Sequence, residues 1–413
     1  MMDPRMLRPL PRRGSGVLLL ALGALLHAAP SIQAQAASTT GASAATAQGA
    51  WAGTHAPARY RAAVDSLRAT LARLQSAEAI PGMSVAVIVD GRLVMSEGMG
   101  YADLENRVPA TPLTRFRIGS VSKSMTAEAV GLLVEQGKLD LDQPVQKYVP
   151  DYPRQKWPIT TRQVGGHLAG IRHYGAPGEM LSSRHYNDVR SALSIFENDS
   201  LLSEPGTRYF YSSNGFNLIS AVVEGASGER FLTYMTSHVF DPLGMRSIVA
   251  DHVDSLIPWR ASFYERGENV RLTWSVPLVG AVDGRSLTNA PYVDQSNKWA
   301  GGGFLSNSED LARFGWAHVE GGILKPGTIS LLTTSQRTRD GKETGYGIGW
   351  FTGVDDAGRR WFGHTGGSVG GRAVLVVYPE QRVVVAVLAN LGQAPLTRPF
   401  GLELARMFVG AGE

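Results

Sequence analysis

Arg372–Ala389 reads RAVLVVYPEQRVVVAVLA, two apolar, valine-rich runs joined by Pro379-Glu380-Gln381. β-Branched runs of this length favour strands, and the short polar link makes them neighbours. A matching pair stands near the other end: Met83–Val89, an Asp90-Gly91 turn and Leu93–Ser96. Asp-Gly between apolar runs is a strong hairpin signal. Helical spacing brackets both pairs. Tyr60, Val64, Leu67, Leu71 and Leu74 recur on one face before the first pair, as do Leu396, Phe400, Leu404 and Phe408 after the last. The stretch between, roughly 136–295, is longer, helical and loop-rich. The expected class is α+β: an antiparallel sheet built from both ends of the chain and flanked by N- and C-terminal helices. Residues 58–135 and 296–413 would form that α/β domain, with 136–295 inserted as a mostly helical domain. No internal repeat is visible.

The 413 residues, 43% apolar and 18% charged, suit a globular protein with a substantial core. Residues 1–36 resemble a cleaved export signal. Arg5, Arg8, Arg12 and Arg13 form a basic start, Gly16 to Ala29 an apolar block too short to span a membrane comfortably, and Ala34-Gln35-Ala36 a cleavage site. Residues 37–57, rich in Ala, Ser, Thr and Gly, read as a disordered leader. Loss of the signal lowers the formal charge from +4 to about +1, so charge gives no argument for nucleic-acid binding. The absence of cysteine excludes disulfides, thiolate metal sites, a cysteine nucleophile and a lipid-anchored lipoprotein start. The nine histidines are scattered and no His-Glu-x-x-His occurs, so no metal is expected. A soluble periplasmic or secreted protein is the simplest expectation.

Three clusters carry chemistry. In Arg117-Ile-Gly-Ser-Val-Ser-Lys123, Ser120 opens a helix continued by Val130, Leu133 and Val134 and stopped at Gly137. The serine could cap that helix. Equally, Lys123, three residues on and on the same face, could accept its proton once burial lowers the amine's pKa. The second cluster is Pro205–Phe216, where Tyr211 either packs or holds a phenol near Lys123. The third, Trp361-Phe-Gly-His-Thr-Gly-Gly367, lies just before the first C-terminal strand, and its glycines allow backbone N–H groups to approach a ligand. Ala300-Gly-Gly-Gly-Phe304 lacks a following Gly-Lys-Ser/Thr, which favours close packing over nucleotide binding. Ser306-Asn-Ser-Glu309 reads as a capping box.

In this order the clusters resemble the serine β-lactamase and penicillin-binding protein superfamily, with its Ser-x-x-Lys, Tyr-x-Asn and Lys-Thr-Gly signatures. Glu97–Arg107, Gly137–Pro144 and His167–Tyr174 look like the branch of serine β-lactamase-like proteins known from mitochondria, over roughly residues 57–413. The resemblance implies Ser120 as nucleophile, Lys123 and Tyr211 as proton carriers, and the Ser120 and Gly367 N–H groups as an oxyanion hole. It implies Ser213, His364, Thr365 and Gly366 as substrate contacts, no cofactor, and His167 and His173 as support behind the site. Serine replaces the usual asparagine at 213, with Asn214 one residue out of register, and histidine replaces the usual lysine at 364.

The expected function is an exported serine hydrolase forming an acyl-enzyme from D-amino-acid peptides or β-lactam-like amides. A carboxylesterase on the same scaffold and a non-catalytic binding or assembly protein are the alternatives. Partners would be small-molecule or peptide substrates, with no nucleic acid, no membrane span and room for a homo-oligomer.

Overall fold

The computed structural model describes residues 56–175, 177–267 and 286–411. The export segment and nearly all of the leader lie outside them.

Seven strands form the main sheet: β1 Gly82–Val89, β2 Arg92–Asp103, β3 Val108–Pro109, β4 Phe351–Val354, β5 Arg360–Ser368, β6 Gly371–Tyr378 and β7 Val383–Ala389. The spatial order is β3-β2-β1-β7-β6-β5-β4, and every neighbouring pair is antiparallel. The two hairpins read from the sequence are β1–β2 and β6–β7. They meet at the centre, where Met83 pairs with Ala389 and Val89 with Val383. Buried Asn390 locks the joint. Its Oδ1 accepts the Gly82 N–H at 2.7 Å, and its Nδ2 donates to the Tyr101 and Ser262 carbonyls, both at 3.1 Å.

The apolar runs of β6 and β7 lack alternation because both faces of the sheet are covered. Successive residues enter opposite cores. Val385 and Val387 face helices α1 (Arg61–Ala77) and α5 (Arg398–Arg406), while Val384, Ala386 and Leu388 face the other side. That second core is closed by α2 (Ser122–Glu135), α3 (Ser213–Ser227) and α4 (Ser308–Glu320). An antiparallel sheet with helices on both faces is the expected class.

Three details differ from expectation. The Trp361–Gly367 cluster lies within strand β5 rather than before a strand, since its glycines hide β propensity while β6 supplies the ladder. Helix α4 is capped by Asn307, whose Oδ1 accepts the Asp310 N–H at 2.9 Å, and Glu309 instead accepts the Ser96 hydroxyl, so the capping box is absent. The apolar run Leu218, Ile219, Val222 and Val223 predicts a helix after Gly215, but helix α3 starts two residues earlier at Ser213, capped by Ser212.

Candidate active site

The Phe116–Arg117 strand pairs with Phe304–Ser306 and delivers the chain to Gly119. There φ is +50°, and a Cβ would stand 2.6 Å from the Gly367 carbonyl oxygen. Only glycine meets both demands. Ser120 follows in a short 3₁₀ turn that runs into α2. Residue Val121 occupies the N-cap position of α2 with no side-chain cap bond. The Ser120 hydroxyl therefore does no capping. Its Oγ lies 2.9 Å from Lys123 Nζ.

Lys123 is fully buried, and two further oxygens surround its amine: Ser213 Oγ at 3.0 Å and the Gly301 carbonyl at 2.6 Å. Burial without a carboxylate partner holds its pKa well below an ordinary lysine's. A neutral amine has two N–H groups and one lone pair. In that form, donation to Gly301 and Ser213 would leave the lone pair to take the Ser120 proton. The Tyr211 ring packs 5.0 Å from Nζ, and its phenol, hydrogen-bonded to Ser120, is pushed up by burial and stays protonated.

Two imidazoles, the buried His167 and the exposed His173, hold the Tyr211 loop by accepting consecutive amides. His167 Nδ1 accepts from Ser212 N and His173 Nδ1 from Ser213 N, each at 3.1 Å. Both rings are held neutral, His173 with its pKa down at about 4, first by burial and then by the proximity of Lys123. Ser213 therefore points at Lys123. Asn214 turns away, its Nδ2 donating to the His173 carbonyl at 3.3 Å.

Strand β5 forms the opposite wall. Strand β4 pairs with it only over Arg360–Gly363, so Thr365–Ser368 present an open edge toward the Ser120 turn. Ser368 and Gly371 close the β5–β6 hairpin as a hydrogen-bonded pair, so Gly367, paired with Arg372, alternates outward and aims its N–H away from β6. The Gly367 peptide packs on Gly119. The Gly367 peptide thus lies beside the turn that carries Ser120. Gly366 is buried, and a Cβ there would lie 1.8 Å from the Ile118 carbonyl oxygen. Instead of the expected substrate contact, it permits the close approach of β5. Gly366→Ala should part these walls, slowing acylation about 100-fold, as a misplacement near 1 Å does, and lowering the melting temperature. Probe-labelling rates and a thermal melt check both effects. Thr365 is half-buried at the open edge.

His364 does not fit its expected role. Buried to 2% exposure, its Nε2 accepts from the Tyr346 hydroxyl at 2.9 Å and its Nδ1 donates to the Thr365 carbonyl at 2.6 Å. Burial, then proximity to Lys123, lowers its pKa to about 3. Both nitrogens are occupied and the ring is neutral, so it offers no charge to a substrate carboxylate. Since the depressed pKa keeps the neutral form above about pH 3, the KM of anionic substrates should show no histidine step between pH 5 and 8. A KM profile across that range checks this.

Sequence reasoning missed two partners. The Gly301 carbonyl is hidden in a glycine run read as packing. Tyr346, fully buried against His364 and 4.9 Å from Phe351, sits in a loop without periodicity.

A sheet covered on both faces, with a half-buried serine beside a buried lysine at the start of the helix beneath it, is the frame of a serine acyl-transfer enzyme. A model of the Beta-lactamase family matches residues 67–405, and the chain belongs to that family as a serine hydrolase. It is 33% identical to the mitochondrial serine beta-lactamase-like protein LACTB of Mus musculus, over 78% of this chain and 74% of that protein. It is 26% identical to the putative penicillin-binding protein PbpX of Bacillus subtilis, over 64% of this chain and 60% of that one. Among solved structures, the octameric penicillin-binding protein homologue from Pyrococcus abyssi superposes with a TM-score of 0.67 at 27% identity, over 84% of this chain and 76% of that one. Among the described residues, no helix is long and apolar enough to cross a membrane.

Proposed function

We propose that this chain is an exported hydrolase that cleaves amide bonds in D-amino-acid peptides or β-lactam-like compounds through an acyl-enzyme on Ser120. The supporting observation is the Lys123 amine, buried without a counter-ion and 2.9 Å from Ser120 Oγ. Ser120 Oγ attacks the carbonyl carbon as Lys123 Nζ takes its proton. The oxygen that gains charge sits between the Ser120 and Gly367 amides. As the C–N bond breaks, the Tyr211 phenol passes a proton to the departing nitrogen and is reprotonated from Lys123. Water then attacks the Ser120 ester and releases the acid. The basic and apolar residues of 1–36 support export.

The short Ser213 side chain and neutral His364 favour a second reading, ester hydrolysis, because neither supplies the usual amide or carboxylate contact. Turnover of a chromogenic cephalosporin and an N-acyl-D-alanyl peptide, against a p-nitrophenyl ester, separates the two. Amide turnover above ester turnover is expected. Ester turnover alone would replace the amidase reading, and no turnover with no covalent adduct would leave a binding or assembly protein.

A further inference from the structure

The Ser120 turn and the open edge of β5 come from distant parts of the chain. Where Gly119 meets the Gly367 peptide, contact sets the least separation of these two walls. A least separation does not stop them drifting apart.

Arg117, three residues before Ser120, ties the walls together. It is buried, and its backbone pairs with Leu305. Its Nη1 donates at 2.8 Å to the carbonyl of Val369, two residues beyond Gly367 in the turn between β5 and β6. Its Nε donates to Asp251 Oδ2 at 2.7 Å. The Phe263 ring lies 4.1 Å from the guanidinium carbon and covers it. Asp251 is itself fully buried and fixed, since its N–H donates to the Gly303 carbonyl at 2.9 Å. The same glycine run holds the Gly301 carbonyl against Lys123.

Two neighbours separate this tie from simple structural support. Arg260 binds the other Asp251 oxygen and the His252 carbonyl, away from the hairpin, so the carboxylate keeps a counter-ion if Arg117 is altered. Glu265 accepts the Gly370 N–H at 2.6 Å, so the turn keeps a second hold of its own. What Arg117 alone adds is the link from the turn to the strand that delivers Ser120.

We propose that Arg117 is a positioning residue of the acylation step: anchored by Asp251, it grips the Val369 carbonyl and fixes the gap between Ser120 and Gly367 in which the substrate carbonyl oxygen is bound. Donors aimed at a developing oxyanion are effective because they need no reorganisation as charge appears. A planar fork donates in two set directions at once, whereas a lysine ammonium on a flexible stem supplies charge without that geometry.

The inference rests on the hydrolase reading, and labelling by a fluorophosphonate, whose P=O oxygen would occupy the same gap, tests the two separately. In Arg117→Gln and in Arg117→Lys, the labelling rate at saturating probe should fall by about 10- to 100-fold, the range of a misplaced oxyanion donor. The probe concentration giving half that rate should not change. Lysine should restore the melting temperature that glutamine lowers, but not the rate. Arg260→Lys, which keeps the grip on the hairpin, should label at the wild-type rate. Wild-type labelling of Arg117→Lys, or equal slowing of Arg260→Lys, would reduce Arg117 to a structural charge and overturn the assignment while the hydrolase stands. A wild type that takes no label would remove the hydrolase and the positioning role together.

Discussion

Ser120→Ala should show no adduct by intact mass after incubation with a fluorophosphonate, where the wild type gains one, and its turnover should fall by about five to six orders of magnitude. Losses of that size follow removal of a nucleophile whose partners act as a unit. The fold should survive. The Ser120 hydroxyl caps no helix and contacts the half-open cleft, so its loss removes one hydrogen bond near Lys123. A stability change of about 1 kcal/mol or less is expected. Equal labelling of mutant and wild type would eliminate Ser120 as nucleophile and turn attention to other hydroxyls of the cleft, Ser213 first.

Lys123→Met carries the second large effect, and it separates catalysis from stability. Methionine has nearly the shape of lysine but neither donates nor accepts the proton. Acylation should slow by about 10²- to 10⁴-fold, the usual contribution of a positioned base. Stability should hold or rise, because a buried amine without a counter-ion is costly and an apolar chain of equal volume is not. A lower melting temperature together with an undiminished labelling rate would contradict both halves. The expected opposite signs would mark Lys123 as a group kept for chemistry at some expense in stability.

Much of the frame was legible because it rests on local signals. Asp90-Gly91 and the valine runs of β6 and β7 mark their own hairpins, and the spacing of Val64, Leu67 and Leu71 marks the buried face of α1. Strand β5 was not legible, since Gly363, Gly366 and Gly367 remove the side chains that signal a strand. The same blindness reached the site. Ser120 and Lys123 declare themselves by spacing, but whether residue 364 is a charged contact depends on Tyr346 and Phe351, which reach it only through the fold.

The central joint of the sheet has a consequence for biogenesis. Gly82 and Asn390, bonded at 2.7 Å, are 308 positions apart. Strand β1 leaves the ribosome, and any export channel, long before its partner β7 exists. Until then the β1–β2 hairpin carries an unpaired, mostly apolar edge, a template for wrong pairing. Closing so long a loop makes this step late and slow. Truncation before Val383 should therefore leave a chain that cannot complete its sheet, however intact the segment around Ser120. A holding factor that shields apolar strands would matter most for the first hairpin, the part of the chain made earliest and paired last.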